Sequence, residues 1–192
     1  MLRRLMQVIL AQLVFVCLVP LGLWSQNLLV NGGFNKPAAA VPAGTVVSYT
    51  DLCNAPGNSA AADWEVYVNG CANISTELVP STLAGTKGYM MHVVVSGGSS
   101  GIGQSATFDQ TNTLASAWVY INSGCVSIGT GDGVDTGIDE ATCETGRWFH
   151  FIQVPNGVSP ANEVIVYSLI PAYSTITGAD FYVKNASVVT AP

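Results

Sequence analysis

The chain has 192 residues, and its charged side chains are six Lys and Arg against twelve Asp and Glu. Apolar residues make up 49% of the sequence, which excludes a disordered polymer because disorder requires low hydrophobicity and high charge. A formal net charge of −6 excludes nucleic-acid binding through clustered basic residues. The length suits one domain with a substantial core, and the twenty glycines and nine prolines predict many turns.

Residues 1–25 predict a secretory signal peptide. Two arginines form a basic start, an apolar run follows from residue 8 to 23, and the small Ser25 marks the expected cleavage point. The alternative is an uncleaved membrane anchor, since the run approaches the length that spans a bilayer. Pro20 and Gly22 favour cleavage, so we expect a secreted or cell-surface protein with no stable membrane insertion afterwards. Residues 26–192 then form a single domain with a net charge of −8, from four positive and twelve negative side chains.

Four cysteines follow the signal, at Cys53, Cys71, Cys125 and Cys143. An even number in an exported chain predicts two disulfides, although four cysteines allow three pairings. The spacing is 18 residues both from Cys53 to Cys71 and from Cys125 to Cys143, which favours local pairing. A zinc site is disfavoured because the sequence contains no C-x-x-C pair.

Short runs rich in β-branched and aromatic residues alternate with clusters of Gly, Asn, Ser, Thr and Pro. This pattern is typical of an all-β antiparallel sandwich, and no stretch after the signal keeps a helical period. The predicted strands are Leu28–Val30, Trp64–Val68, Tyr89–Val95, Ser105–Phe108, Leu114–Ile121, Arg147–Val154, Glu163–Leu169 and Asp180–Val189.

Alternation within these strands predicts which side chains face the core. The inward set includes Trp64, Val66, Val68 and the even positions of 147–154, among them Trp148. The outward set includes Glu65, Tyr67, Trp118, Tyr120, Phe149 and Gln153. Several strands therefore present aromatic and hydrogen-bonding groups on their second face.

Such a face suits a sugar ligand. A pyranose ring packs its apolar C–H face on a flat aromatic side chain, while its hydroxyls need donors and acceptors around the rim. The alternative for any single aromatic residue is packing against the opposite sheet or a loop. The candidate ligand-binding residues are Tyr67, Trp118, Tyr120, Phe149, Gln153 and Tyr167.

The order of several motifs resembles carbohydrate-binding modules with a galactose-binding-like jelly-roll fold. The residues that carry the resemblance are Asn27–Phe34 as an opening strand, Asp63-Trp64, Gly88–Val93, Gly103-Gln104-Ser105 as a turn into a strand, Leu114–Val119, Thr145–Trp148 and Asp180–Val188 as the last strand. The resemblance spans nearly all of residues 27–189 and implies a jelly-roll sandwich with a polysaccharide or glycan partner. The same fold serves adhesion and cell-wall modules, so the resemblance is less specific for function than for fold.

The same resemblance raises the question of a structural calcium ion. The family often has a Glu after the opening Gly-x-Phe and an Asp pair in the last strand, and in many members these contribute to a calcium site. Here those positions hold Asn35, Lys184 and Asn185. Oxygen atoms of Asn31, Asn35 and Asp180 are the remaining candidate ligands for Ca²⁺.

Two enzymatic patterns compete with a binding function. Residues 97–101 match G-x-S-x-G, but this motif works only where a strand enters a helix, and the following residues predict another strand. A paired-carboxylate glycosidase could use Glu65, Glu77 or Glu163, although nothing in the sequence selects a pair. We therefore expect a secreted, non-catalytic glycan-binding protein. The main alternative is a structural or adhesive surface protein whose aromatic face contacts another protein or copies of itself.

Overall fold

The alternating runs form two antiparallel β-sheets, each with six strands among the described residues. The computed structural model describes residues 26–97, 99–108, 113–131, 140–153, 161–169 and 177–190. The predicted signal peptide lies outside them. The strands are β1 (Val47–Cys53), β2 (Gly57–Asn58), β3 (Glu65–Asn69), β4 (Cys71–Pro80), β5 (Tyr89–Ser96), β6 (Ser99–Phe108), β7 (Thr113–Ser123), β8 (Val126–Gly131), β9 (Glu140–Thr142), β10 (Trp148–Gln153), β11 (Ala161–Ser168) and β12 (Gly178–Thr190).

The chain passes repeatedly from one sheet to the other. The first sheet has the strand order β1-β4-β5-β12-β7-β10, and the second has the order β2-β3-β6-β11-β8-β9. The predicted antiparallel sandwich of jelly-roll type is therefore confirmed. Within the described ranges no helix is long and apolar enough to cross a membrane.

The core lies between the two sheets and follows the two-residue period of the strands. In β3, Val66 and Val68 are buried while Glu65 and Tyr67 face outward, as the sequence predicts. Trp64, just before β3, is buried against Phe34 with ring centroids 4.8 Å apart. Branched aliphatic side chains from both sheets fill the remaining space.

The predicted strand at Leu28–Val30 is wrong, because this segment pairs with β12 through only scattered hydrogen bonds. The amide of Leu28 donates to the carbonyl of Val188, and that of Ala186 donates to Gly32, over 2.9 and 2.8 Å. Oε1 of Gln104 accepts a hydrogen bond from the amide of Val30, and Nε2 of Gln104 donates to the carbonyl of the same residue. Gln104 therefore does not mark a turn: it lies inside β6 and anchors the amino-terminal segment to the second sheet.

The predicted facing of β10 is also wrong. Phe151 and Gln153 are 2% and 1% exposed, whereas Ile152 is 46% exposed and Trp148 is only partly buried on the outer face. The reason lies in the pairing with β7, which sets Phe151 opposite the small inward residue Ala117. The small side chain of Ala117 leaves room in the core for the phenyl ring of Phe151, so the odd-numbered residues of β10 face inward.

Both predicted disulfides are present. Cys53 is bonded to Cys71 and Cys125 to Cys143. The first bond joins directly opposite residues of β1 and β4, and the second ties the residue before β8 to the residue after β9. Disulfides of this kind are typical of proteins that fold in oxidising compartments.

Candidate functional site: a groove on the second sheet

The outer face of β3, β6 and β11 brings two carboxylates together. Glu65 on β3 lies opposite Gly103 on β6, and Glu163 on β11 lies opposite Ser105, two residues further along β6. The two glutamates are therefore diagonal neighbours across one central strand. Tyr67 extends the same face along β3, and Gly101 separates it from Tyr167 on β11.

Two adjoining cavities open on this face and share Glu65 and Ser105. One has a volume of about 250 Å³ and is also lined by Tyr67, Glu163 and the segment 54–56. The other has a volume of about 420 Å³ and is also lined by Leu28, Val30, Asp63, Gln104 and Ala106. We refer to the two cavities together as the groove. The larger of the two volumes falls in the range of sites for small organic ligands.

The side chain of Glu163 lies within the groove because the opposite strand leaves room for it. A Cβ atom added to Gly103 would collide with Oε1 of Glu163, so the carboxylate lies over the glycine and beside Glu65. Burial, followed by the negative charge of Glu65, raises the pKa of Glu163 above its ordinary value of 4.5. A titratable group with a raised pKa in a cavity is a frequent mark of a functional site.

One wall of the groove is the segment Asn54–Pro56, directly after the disulfide at Cys53. The amide of Asn54 donates to the carbonyl of Gly70 over 2.9 Å, and Oδ1 of Asn54 accepts from the amide of Gly70 over 2.7 Å. Two hydrogen bonds and a covalent bridge therefore hold this wall against the connection between β3 and β4, where the chain passes from the second sheet to the first.

The opposite end of the groove is apolar and exposed. Leu28 and Val30 are 42% and 59% exposed there. Gln104 fixes this rim, because its Nε2 donates to the carbonyls of Val30 and Asp63, each over 2.7 Å. The groove thus combines apolar contacts at one end with carboxylates and hydroxyls at its centre.

Of the predicted ligand-binding residues, Tyr67 lines the groove. Tyr167 contacts Tyr67 edge to face, with ring centroids 6.1 Å apart, but is itself buried. Phe149 and Gln153 lie on the inward side of β10, where Phe149 packs against the core. An inward side chain cannot contact a ligand on either outer face.

Trp118 and Tyr120 lie on the opposite side of the sandwich. Tyr120 contacts Tyr182 and Trp148, with ring centroids 6.3 and 5.6 Å away and planes inclined by about 60°. Trp118 stacks on His150 at 4.6 Å, and His92 stacks on Tyr182 at 4.4 Å. We call this cluster on the first sheet the aromatic band: His92, Trp118, Tyr120, Trp148, His150 and Tyr182.

The structure does not gather the three candidate calcium ligands. Oδ1 of Asn31 accepts from the amide of Lys36, while Oδ1 of Asp180 lies 2.9 Å from Nε2 of His92. Oδ1 of Asn35 faces the ammonium of Lys184 at 3.4 Å. In the part of the chain that is described, no three His, Cys, Asp or Glu side chains form a group that could hold a metal. Calcium binding stays a prediction.

The G-x-S-x-G match lies at a strand-to-strand connection. β5 ends at Ser96 and β6 begins at Ser99, so no helix follows the motif. The backbone donor that a helix would supply to an oxyanion is therefore missing from this motif. A hydrolase of this type also needs a histidine beside its serine, but His150, which follows the motif in the sequence, lies on the first sheet, whereas Ser99 belongs to the second.

Two groove features were not predicted from the sequence as part of a ligand site. Glu65 and Glu163 were candidates only for hydrolysis, and nothing linked them, because 98 residues separate them along the chain. No local sequence pattern marks Ser105 as a ligand-binding residue. The two-residue period of β3 indicates that Glu65 and Tyr67 face outward. No pattern in the sequence indicates that Glu163 lies close to Glu65, because this depends on the strand order.

The sandwich is similar to solved carbohydrate-binding modules, the class that the sequence motifs resemble. A family 11 module from Clostridium thermocellum in complex with a β-1,3-1,4-mixed-linked tetrasaccharide has a TM-score of 0.45 and 16% identity, covering 76% of this chain and 96% of that one. A family 61 module in complex with β-1,4-galactotriose has a TM-score of 0.47 and 13% identity, covering 86% and 99%. A variant of a family 29 module has a TM-score of 0.43 and 14% identity, covering 75% and 91%. No protein-family model and no curated protein matches the chain.

Proposed function

We propose that the protein is a secreted, non-catalytic glycan-binding domain whose ligand lies in the groove. The observation that carries the proposal is the pair of adjoining cavities that share Glu65 and Ser105. Carboxylates and a hydroxyl at the centre suit the hydroxyl groups of a sugar, and Tyr67, Leu28 and Val30 suit its apolar C–H faces. Two cavities in a row give room for more than one sugar unit.

The test is affinity electrophoresis, or pull-down, of the purified oxidised protein with a panel of soluble and insoluble polysaccharides. Tyr67→Ala should lower the affinity for the retained glycan by up to about tenfold, because ring contacts are worth about 0.5 to 1.5 kcal/mol. Tyr120→Ala, in the aromatic band on the opposite sheet, is the matched control and should leave the affinity unchanged.

The reverse result would place the glycan-binding site on the first sheet. If Tyr120→Ala abolishes retention and Tyr67→Ala does not, then the aromatic band is the glycan-binding face, as predicted for Trp118 and Tyr120 from the sequence. A protein that retains no glycan but self-associates would support the structural or adhesive alternative.

The proximity of Glu65 and Glu163 favours one second candidate, glycoside hydrolysis. A carboxylic acid with a raised pKa beside a second carboxylate is the arrangement that glycosidases use for acid catalysis and attack at the anomeric carbon. Release of reducing ends from a bound oligosaccharide, abolished by Glu163→Gln, would establish this activity. Binding without release of reducing ends supports the non-catalytic proposal.

A further inference from the structure

Two carboxylates in the groove, those of Glu65 and Glu163, carry negative charge without a basic side chain to balance it. Three carboxylates line the two cavities, those of Asp63, Glu65 and Glu163, and none of the described lining residues is Lys, Arg or His. Asp63 lies 3.9 Å from the ammonium of Lys36, with both side chains exposed. The other two carboxylates form no ion pair with any described residue.

The arrangement of the sheet forces Glu65 and Glu163 together. The carboxylate of Glu163 occupies the space that Gly103 leaves open, and Glu65 projects from the position opposite that glycine. The negative charge of Glu65 opposes ionisation of Glu163, and the partial burial of Glu163 adds to the cost of ionising both groups. A cation bound between them would remove this cost.

The chemistry of the groove favours an ammonium group over a metal ion as that cation. Calcium takes six to eight oxygen ligands, and the described residues provide no group of three acidic, His or Cys side chains suited to a metal. An ammonium group has three N–H donors, which can be shared between two carboxylates and the Ser105 hydroxyl. On a sugar, this group is a free amine at a ring carbon.

We propose that Glu65 and Glu163 select glycans that carry free amino groups, such as oligomers of glucosamine. The inference rests on the proposed function, since it assumes that the groove holds a sugar chain. A net charge of −8 over residues 26–192 attracts a polycationic chain to the protein, and the two glutamates fix where its amines bind.

Calorimetric titration of the oxidised protein with three β-1,4-linked hexamers tests this selectivity. The probes are hexa-glucosamine, hexa-N-acetylglucosamine and cellohexaose, used at about pH 6 so that the free amines are protonated. We expect the glucosamine hexamer to bind at least about tenfold more tightly than the two uncharged hexamers. Glu65→Gln and Glu163→Gln should each reduce this preference, and the double variant should remove it.

Glu77→Gln is the matched control, because it changes the net charge equally but lies on β4 of the first sheet. If it reduces the preference as much as Glu163→Gln does, net charge is responsible and the inference is overturned. Equal binding of charged and uncharged hexamers also overturns it but leaves the proposed function intact. Binding of none of the hexamers, together with no retention by any polysaccharide, overturns the proposed function itself.

Discussion

Lys184 shows how backbone oxygens can satisfy a buried ammonium group. Its side chain is 1% exposed, and its ammonium donates to the carbonyls of Gly33, Lys87 and Tyr89. Burial lowers the pKa of this ammonium, while the surrounding oxygens satisfy its protons. The side chain thereby links the amino-terminal segment, the start of β5 and β12.

Loss of this ammonium should destabilise the fold. In Lys184→Met the acceptor oxygens lose their buried donor, so we expect the free energy of unfolding to fall by about 3 kcal/mol. Urea denaturation measures this change. The exposed Lys87→Met is the control and should change the free energy by no more than about 0.5 kcal/mol. Equal effects of the two variants would contradict a structural role for the buried ammonium.

Glu163 should make stability depend on pH. Its pKa is raised in the folded protein, so the native state binds this proton more tightly than the unfolded chain does. The contribution of Glu163 to stability is therefore present below its unfolded pKa and falls as the pH rises through its folded pKa.

The free energy of unfolding of the wild-type protein and of Glu163→Gln should converge at about pH 4 and diverge toward neutrality, with the variant becoming the more stable. In a protein that carries Glu65→Gln, the added effect of Glu163→Gln on stability should depend less on pH. The reason is that the charge of Glu65 is one of the two causes of the raised pKa of Glu163. Parallel curves for wild type and Glu163→Gln would show that the carboxylate ionises without cost.

At the scale of the strand, β10 shows what alternation alone leaves open. The two-residue period divides its residues into two sets, and each set contains large aromatic side chains, so hydrophobicity does not decide which set is inward. Pairing with β7 decides, because Phe149, Phe151 and Gln153 oppose the inward residues Val119, Ala117 and Ala115.

Substitution of neighbouring β10 residues tests this facing. Phe151→Ala should lower the free energy of unfolding by about 3 to 5 kcal/mol, because it leaves a cavity in the core. Ile152→Ala should cost less than about 1 kcal/mol, because its side chain is half exposed. Thermal or urea denaturation measures both, and the opposite ranking would restore the facing expected from the sequence.

Several strands lacked a clear sequence signal. β4 alternates Ala72, Ile74, Thr76 and Leu78 on its buried face, but Asn, Ser and Glu between them resemble turn composition. β8 contains two glycines and was not predicted, although Val126 and Ile128 are fully buried. A strand with polar and small residues is recognised only when neighbouring strands supply its hydrogen bonds and cover one face.

At the scale of the whole molecule, the sandwich separates two chemically different outer faces. The second sheet carries the groove with its carboxylates, and the first carries the aromatic band with both histidines of the chain. Most rings of the band already stack on or meet one another, so fewer ring faces remain open to a sugar. In the structural or adhesive alternative, this band is the surface that would contact another protein or a second copy of the chain.

The sequence by itself determined the fold class and the inward facing of β3, and it favoured the disulfide pairing that the structure contains. These follow from local properties: a two-residue hydrophobic period, turn-forming residues and equal cysteine spacings. The tertiary structure alone decided the strand order, the facing of β10 and the partners of Lys184. It also decided the meeting of Glu65 and Glu163 across β6. The physical reason is that these contacts join residues far apart in the chain, and their free energy depends on which strands become neighbours.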